Sequence, residues 1–98
     1  MLIVKTVTVN LSLAGRLDAV TGELLSKELN DIFMSKVDRL ILDFKDIVFM
    51  NSAGLRIIVN AQKIAHSKDA QMELIGVNDS IYSIFQITGF ANIIAIKN

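Results

Sequence analysis

The feature that most limits the fold is a buried-strand pattern that runs into a helix pattern through a short polar junction. Leu40-Ile41-Leu42-Asp43-Phe44 is almost continuously apolar, as in a strand covered on both faces. It predicts a central strand over Arg39 to Phe44, and Lys45-Asp46 reads as a turn after it. Phe49-Met50-Asn51-Ser52-Ala53-Gly54-Leu55 follows, and a helix pattern then runs from Gly54 to about His66. Ser52 therefore falls at or beside a helix N-terminus. Backbone N–H groups there lack intrahelical partners, and the helix dipole favours negative charge. A serine in that position serves as a cap, a nucleophile or a phosphate carrier.

The remaining chain repeats the same alternation. Val7, Val9, Leu11 and Leu13 share one face of a half-buried strand from Val7 to Ala14. Leu2-Ile3-Val4 reads as further strand, either a bulged extension or a hairpin arm. Gly15-Arg16-Leu17-Asp18 breaks the strand. A helix follows to about Met34, with Val20, Leu24, Leu25, Leu29, Ile32 and Phe33 on one side and Asp18 or Thr21 as its cap. Ser67-Lys68-Asp69-Ala70 is a loop and Met72-Glu73-Leu74-Ile75 a short strand. Asn78 or Asp79 caps a third helix, with Ile81, Ile84 and Phe85 inward and an end near Gly89. Ile93-Ile94-Ala95-Ile96 is the last strand. The order β-β-α-β-α-β-α-β, or the same with the first two strands fused, predicts an α/β fold. No linker or repeat divides the chain, so one domain is expected over residues 1–98.

Composition removes several function classes. Ten Lys and Arg balance ten Asp and Glu, so nothing forces a basic face, and direct nucleic-acid binding is not expected. The chain has no cysteine and a single histidine, His66, which leaves no thiol chemistry and no histidine-based metal cluster; neither a metal nor a cofactor is expected. No apolar run approaches the ~20 residues of a membrane span. Met1-Leu2-Ile3-Val4-Lys5 is too short an apolar run for a signal peptide, so a cytoplasmic location without membrane attachment is expected.

Three chemistries compete at Ser52. Met50-Asn51-Ser52-Ala53-Gly54 resembles a nucleophile elbow without its first glycine. A hydrolase also needs a base within hydrogen-bond reach. His66 lies 14 positions along the same helix, roughly 21 Å away at ~1.5 Å per residue. Neither a P-loop nor G-x-G-x-x-G occurs. Asn51 and Ser52 are both good caps. Further along the helix, Arg56, Asn60, Lys63 and Ser67 form a polar stripe flanked by Ile57 and Ile64. Those two isoleucines are either wedged between neighbours or part of a partner contact.

The segment Leu42 to Leu55 closely resembles the signature of the STAS family, the anti-sigma factor antagonists: an apolar strand, a turn, then aromatic-Met-Asp-Ser-Ser/Ala/Thr-Gly-Leu. Gly15-Arg16-Leu17-Asp18 with Thr21 is similar to the family's G-x-L-D-x-x-T segment, and Thr88-Gly89-Phe90 through Ile93-Ile94 to its T-G-L…I-I. The matches keep the family's order and span nearly the whole chain. The resemblance implies a STAS-like domain with a central mixed sheet of four to five strands and about three helices packed on it. It implies no enzyme activity. An anti-sigma factor with serine kinase activity would bind the chain and phosphorylate Ser52, phosphorylation would end binding, and a phosphatase would restore it. A phosphate there would be met by free N–H groups near Gly54 and Leu55.

The partner-binding residues the resemblance implies are Asp18, Asn51, Ser52, Ala53, Gly54, Leu55, Arg56 and Ile57. Asn51 stands where the family usually has Asp, and Arg56 where many members have Gly. The alternative reading keeps the fold without the switch, as an accessory subunit of a transport or signalling complex. A monomer is the simpler expectation; pairing through an edge strand is the other.

Overall fold

The computed structural model describes residues 1–97. Its elements alternate as β1 (Thr8–Leu17), α1 (Ala19–Met34), β2 (Arg39–Met50), α2 (Ser52–Ser67), β3 (Gln71–Ile75), α3 (Asp79–Ile87), a 3-10 turn (Phe90–Asn92) and β4 (Ala95–Lys97). The sheet order is β1-β2-β3-β4. Each neighbouring pair is parallel, since each helix carries the chain back to the starting edge. Four strands lie within the expected range, but the sheet is parallel throughout and not mixed. Leu2-Ile3-Val4 forms neither a bulged extension of β1 nor a hairpin arm, and these side chains are exposed. The chain meets the sheet at Val7, whose carbonyl accepts from the N–H groups of Asp38 and Arg39 and whose N–H donates to Asp38 Oδ2.

Leu40, Leu42 and Phe44 are fully buried in β2, opposite Val9 and Leu11 of β1 and Met72 and Leu74 of β3. Removing each such side chain from water contributes roughly 1.5–3 kcal/mol. Their alternates Arg39, Ile41 and Asp43 are only half-buried, which corrects the expectation of a strand covered on both faces. On that second face Arg39 grips Glu73 with both ends of its guanidinium fork: Nε and Nη2 donate to Oε1 at 3.0 and 2.8 Å, and Nη2 to Oε2 at 2.8 Å. Lys97 Nζ lies 3.5 Å from the same carboxylate. Arg39's hydrogen bonds lead the causes that hold the buried Glu73 carboxyl below its ordinary range, with the charges of Arg39 and Lys97 adding to them against desolvation.

Three further expectations are corrected. Lys45-Asp46 is not a turn; β2 continues to Met50. It does so with two bulges, because the pairing steps from Ser12↔Asp43 to Ala14↔Asp46 and from Gly15↔Ile47 to Arg16↔Phe49. β1 correspondingly continues through Gly15, whose φ of 86° places the kink at a residue without Cβ, to Leu17. In α1 the buried side is Gly22, Leu25, Leu29 and Phe33, whereas Val20 and Leu24 face solvent at 75% and 65% exposure. A residue nine positions away on a helix is turned by about half a circle, so Val20 and Leu29 cannot share a face.

Candidate functional site

The carboxyl ends of β1 and β2 lie side by side, and each feeds directly into a helix. In parallel α/β sheets this edge is where ligands bind. At the first helix start Asp18 is the cap, and Thr21 completes a capping box. Asp18 Oδ1 accepts from the N–H groups of Val20 and Thr21, each at 3.1 Å. Thr21 Oγ1 accepts from Asp18 N–H at 2.9 Å and donates to the Arg16 carbonyl at 2.7 Å. The Thr21 N–H does most to hold the Asp18 carboxyl below its ordinary range. The Thr21 hydroxyl, the Val20 N–H and the Arg16 charge also lower it, against desolvation.

At the second start Asn51 takes the cap. Its Oδ1 accepts from Gly54 N–H at 3.1 Å, and its carbonyl accepts from Leu55 N–H at 2.9 Å. These two N–H groups are therefore engaged, contrary to the expectation that they are free for a phosphate. The groups without an acceptor among the described residues are those of Ser52 and Ala53, the first two of the helix. Ser52 is exposed, and its hydroxyl has no hydrogen-bond partner among the described residues. The cap needs only an acceptor oxygen, so the amide of Asn51 fills the role a carboxylate would fill.

Gly54 fixes the approach of α2 to β1. A Cβ there would stand 2.3 Å from the Leu17 carbonyl oxygen, which is already the acceptor for Asn51 N–H at 3.3 Å. Arg16 joins the two starts: its guanidinium lies 4.0 Å from the centre of the Phe49 ring, and its Nε is 3.8 Å from Asp18 Oδ2. Residue type alone does not mark Arg16 as part of the site. Its signal lies in the pairing, since Arg16 and Phe49 are register partners on adjacent strands.

Of the other expected site residues, Gly54 and Leu55 are buried, Ala53 is half-buried and Arg56 is exposed. Ile57 is half-buried and packs toward Gly22 of α1, where an added Cβ would meet Ile57 Cγ1 at 2.9 Å. It is wedged between helices. Ile64 is likewise half-buried against the core. Ser52, Leu55, Arg56, Val59 and Lys63 line a groove of roughly 300 Å³ along α2, closed on one side by Phe90. His66 is in the last turn of α2, at the far end from Ser52. Among the described residues there is no cluster of His, Cys, Asp or Glu suited to a metal, and no helix is long and apolar enough to cross a membrane. The arrangement presents a hydroxyl that another molecule can reach.

Comparison with known proteins adds an independent observation. The STAS domain model matches residues 2–98. The anti-sigma-B factor antagonist of Listeria monocytogenes is 30% identical over 90 residues, covering 92% of this chain and 79% of that protein. A putative anti-sigma factor antagonist from Thermotoga maritima superposes with a TM-score of 0.88 at 23% identity, over 96% of this chain and 83% of that one. The Bacillus cell fate determinant SpoIIAA in its phosphorylated form superposes with a TM-score of 0.74 at 22% identity, over 98% and 87% of the two chains.

Proposed function

The chain belongs to the STAS domain family, and from that premise we propose that it is an anti-sigma factor antagonist switched at Ser52. In this reading it is a cytoplasmic, monomeric binding module with no catalysis of its own. Unphosphorylated, it sequesters an anti-sigma factor that is also a serine kinase, and so releases a sigma factor. The kinase transfers the γ-phosphoryl group of ATP to Ser52 Oγ; the hydroxyl proton leaves and ADP is released. A phosphatase reverses the modification by hydrolysis.

One observation supports this most strongly: Asn51 carries the cap, and Ser52 Oγ stands exposed at the head of α2 with no hydrogen-bond partner among the described residues. A phosphate there adds about −1.5 to −2 charge at neutral pH. The unused N–H groups of Ser52 and Ala53 and the positive end of the helix dipole favour that charge within the chain. A partner packed against the same spot instead meets a bulky dianion that must be desolvated. Binding is lost while the fold is kept.

The test is incubation with the anti-sigma factor of the same organism and ATP, followed by mass spectrometry. Gain of one phosphate on the wild type, absent in Ser52→Ala, is expected. An unmodified wild type, or a phosphate retained in Ser52→Ala, contradicts the reading.

A further inference from the structure

The groove along α2 has a composition that the switch at Ser52 does not require. Ser52, Arg56, Val59 and Lys63 follow at intervals of four, three and four residues, which aligns them in one row on the helix. Leu55 and Val59 form an apolar floor and Phe90 a wall. Beyond Lys63 the depression continues between Gln62, His66 and Ile93, with Ile93 55% exposed. The whole trough runs from Ser52 to His66, about 21 Å along the helix axis.

Charge on the helix that forms this trough is of one sign. The sixteen residues of α2 include Arg56 and Lys63 and contain no Asp or Glu. The chain's acids lie on other elements, and the one beside the far end, Glu73, which shares a depression with Gln62, His66 and Ile93, is held by Arg39 and Lys97. Among the described residues neither Arg56 nor Lys63 has an ion-pair partner. An apolar channel edged by two unpaired cations seven residues apart complements a segment that is apolar on one side and acidic beside it.

We propose that this trough docks an acidic amphipathic helix of a partner protein, with two carboxylates about 10 Å apart, one helical i, i+7 step, meeting Arg56 and Lys63, and with apolar side chains seated between them on Val59 and Phe90 and past the second on Ile93. That the partner is the anti-sigma factor rests on the function proposed above. Ser52 stands at the head of the trough, one turn from Arg56. A phosphate on Ser52 would pair with Arg56 at i, i+4 and repel the carboxylate that Arg56 otherwise receives. Release would then begin at that end of the docked segment.

The test uses two probes. The first is a synthetic helical peptide of about five turns with glutamates at i and i+7 and leucines between and beyond them, titrated into the ¹⁵N-labelled chain. Amide shifts confined to Leu55, Arg56, Val59, Lys63, Phe90 and Ile93 are expected. Affinity should fall about tenfold in Lys63→Glu and fall again with added salt. No shifts at millimolar peptide, shifts elsewhere, or equal shifts with a lysine-bearing peptide or a single-stranded oligonucleotide would overturn the proposal. The second probe is the anti-sigma factor itself. If it binds the wild type and loses about tenfold in Lys63→Glu, the trough is its seat. If it binds both equally, the trough inference fails and the reading of Ser52 stands. If it binds neither while the acidic peptide seats in the trough, the anti-sigma reading fails and the trough stands.

Discussion

The two helix starts occupy equivalent places, each at the carboxyl end of one of two adjacent parallel strands, yet they are built to opposite effect. At α1 the cap is closed on itself. Asp18 takes two N–H groups, Thr21 answers it, and the Thr21 hydroxyl turns back to the Arg16 carbonyl. At α2 a neutral side chain, Asn51, makes a single side-chain bond, and the hydroxyl beside it is left without a partner among the described residues. One start spends its polar groups on stability, and the other keeps one in reserve for an outside molecule. Proximity to a helix dipole is common to both, so the dipole alone does not make a site; the difference lies in which side chain does the capping.

The comparison is most easily broken at Gly54, on which the α2 start depends. Gly54→Ala places a Cβ against backbone, at 2.3 Å from the Leu17 oxygen, and is expected to cost about 3 kcal/mol, measured by chemical denaturation. A loss under about 1 kcal/mol would mean that α2 does not sit where described. Next in size are the caps. Asp18→Ala should lower the melting temperature more than Asn51→Ala, whose single bond is worth about 1 kcal/mol. Equal losses would remove the distinction between the two starts.

Acid sharpens it further. The Asp18 carboxyl lies below its ordinary value of 3.8 in the folded chain. Its contribution is therefore complete above the unfolded value and is lost as pH falls through the folded one. Asn51 does not titrate, so the α2 start has no such dependence. In urea denaturation across pH 2–6, a window of about two units either side of a typical carboxylate, Asp18→Asn should flatten the acid loss. Asn51→Asp should steepen it. A wild-type acid profile unchanged by Asp18→Asn would contradict this assignment and turn attention to Glu73, whose carboxyl is also held low. The smallest effect is expected at Ser52 itself: Ser52→Ala should leave stability within ~0.5 kcal/mol, whereas a larger loss would give the hydroxyl a structural role.

Much of this contrast was legible in the residues. Asp18 with Thr21, and Asn51 with Ser52, announced two capped helices, and the order of strands and helices followed from periodicity. The choice of Asn51 over Ser52 as cap was not legible, since both residue types cap well and only backbone geometry decides. Lys45-Asp46 resembled a turn because two adjacent charges interrupt an apolar run; bulges absorb them in a continuous strand, and sequence alone carries no sign of a bulge. Val20 and Leu24 match the inner residues of α1 in type, but the 100° turn per residue sets them outward. The Arg39–Glu73 pair and the trough closed by Phe90 join residues more than thirty positions apart, and their meeting depends on strand order, which local pattern does not encode.

The claim that Ser52 is held free so that a partner can read its modification is tested most directly by calorimetry. The anti-sigma factor would be titrated against the chain carrying either serine or phosphoserine at position 52, with circular dichroism of both forms. The account predicts binding to the serine form, a loss on the order of a hundredfold or more on phosphorylation, and unchanged helix content. Equal affinity for the two forms, or a phosphorylated chain whose helix has melted, would contradict it.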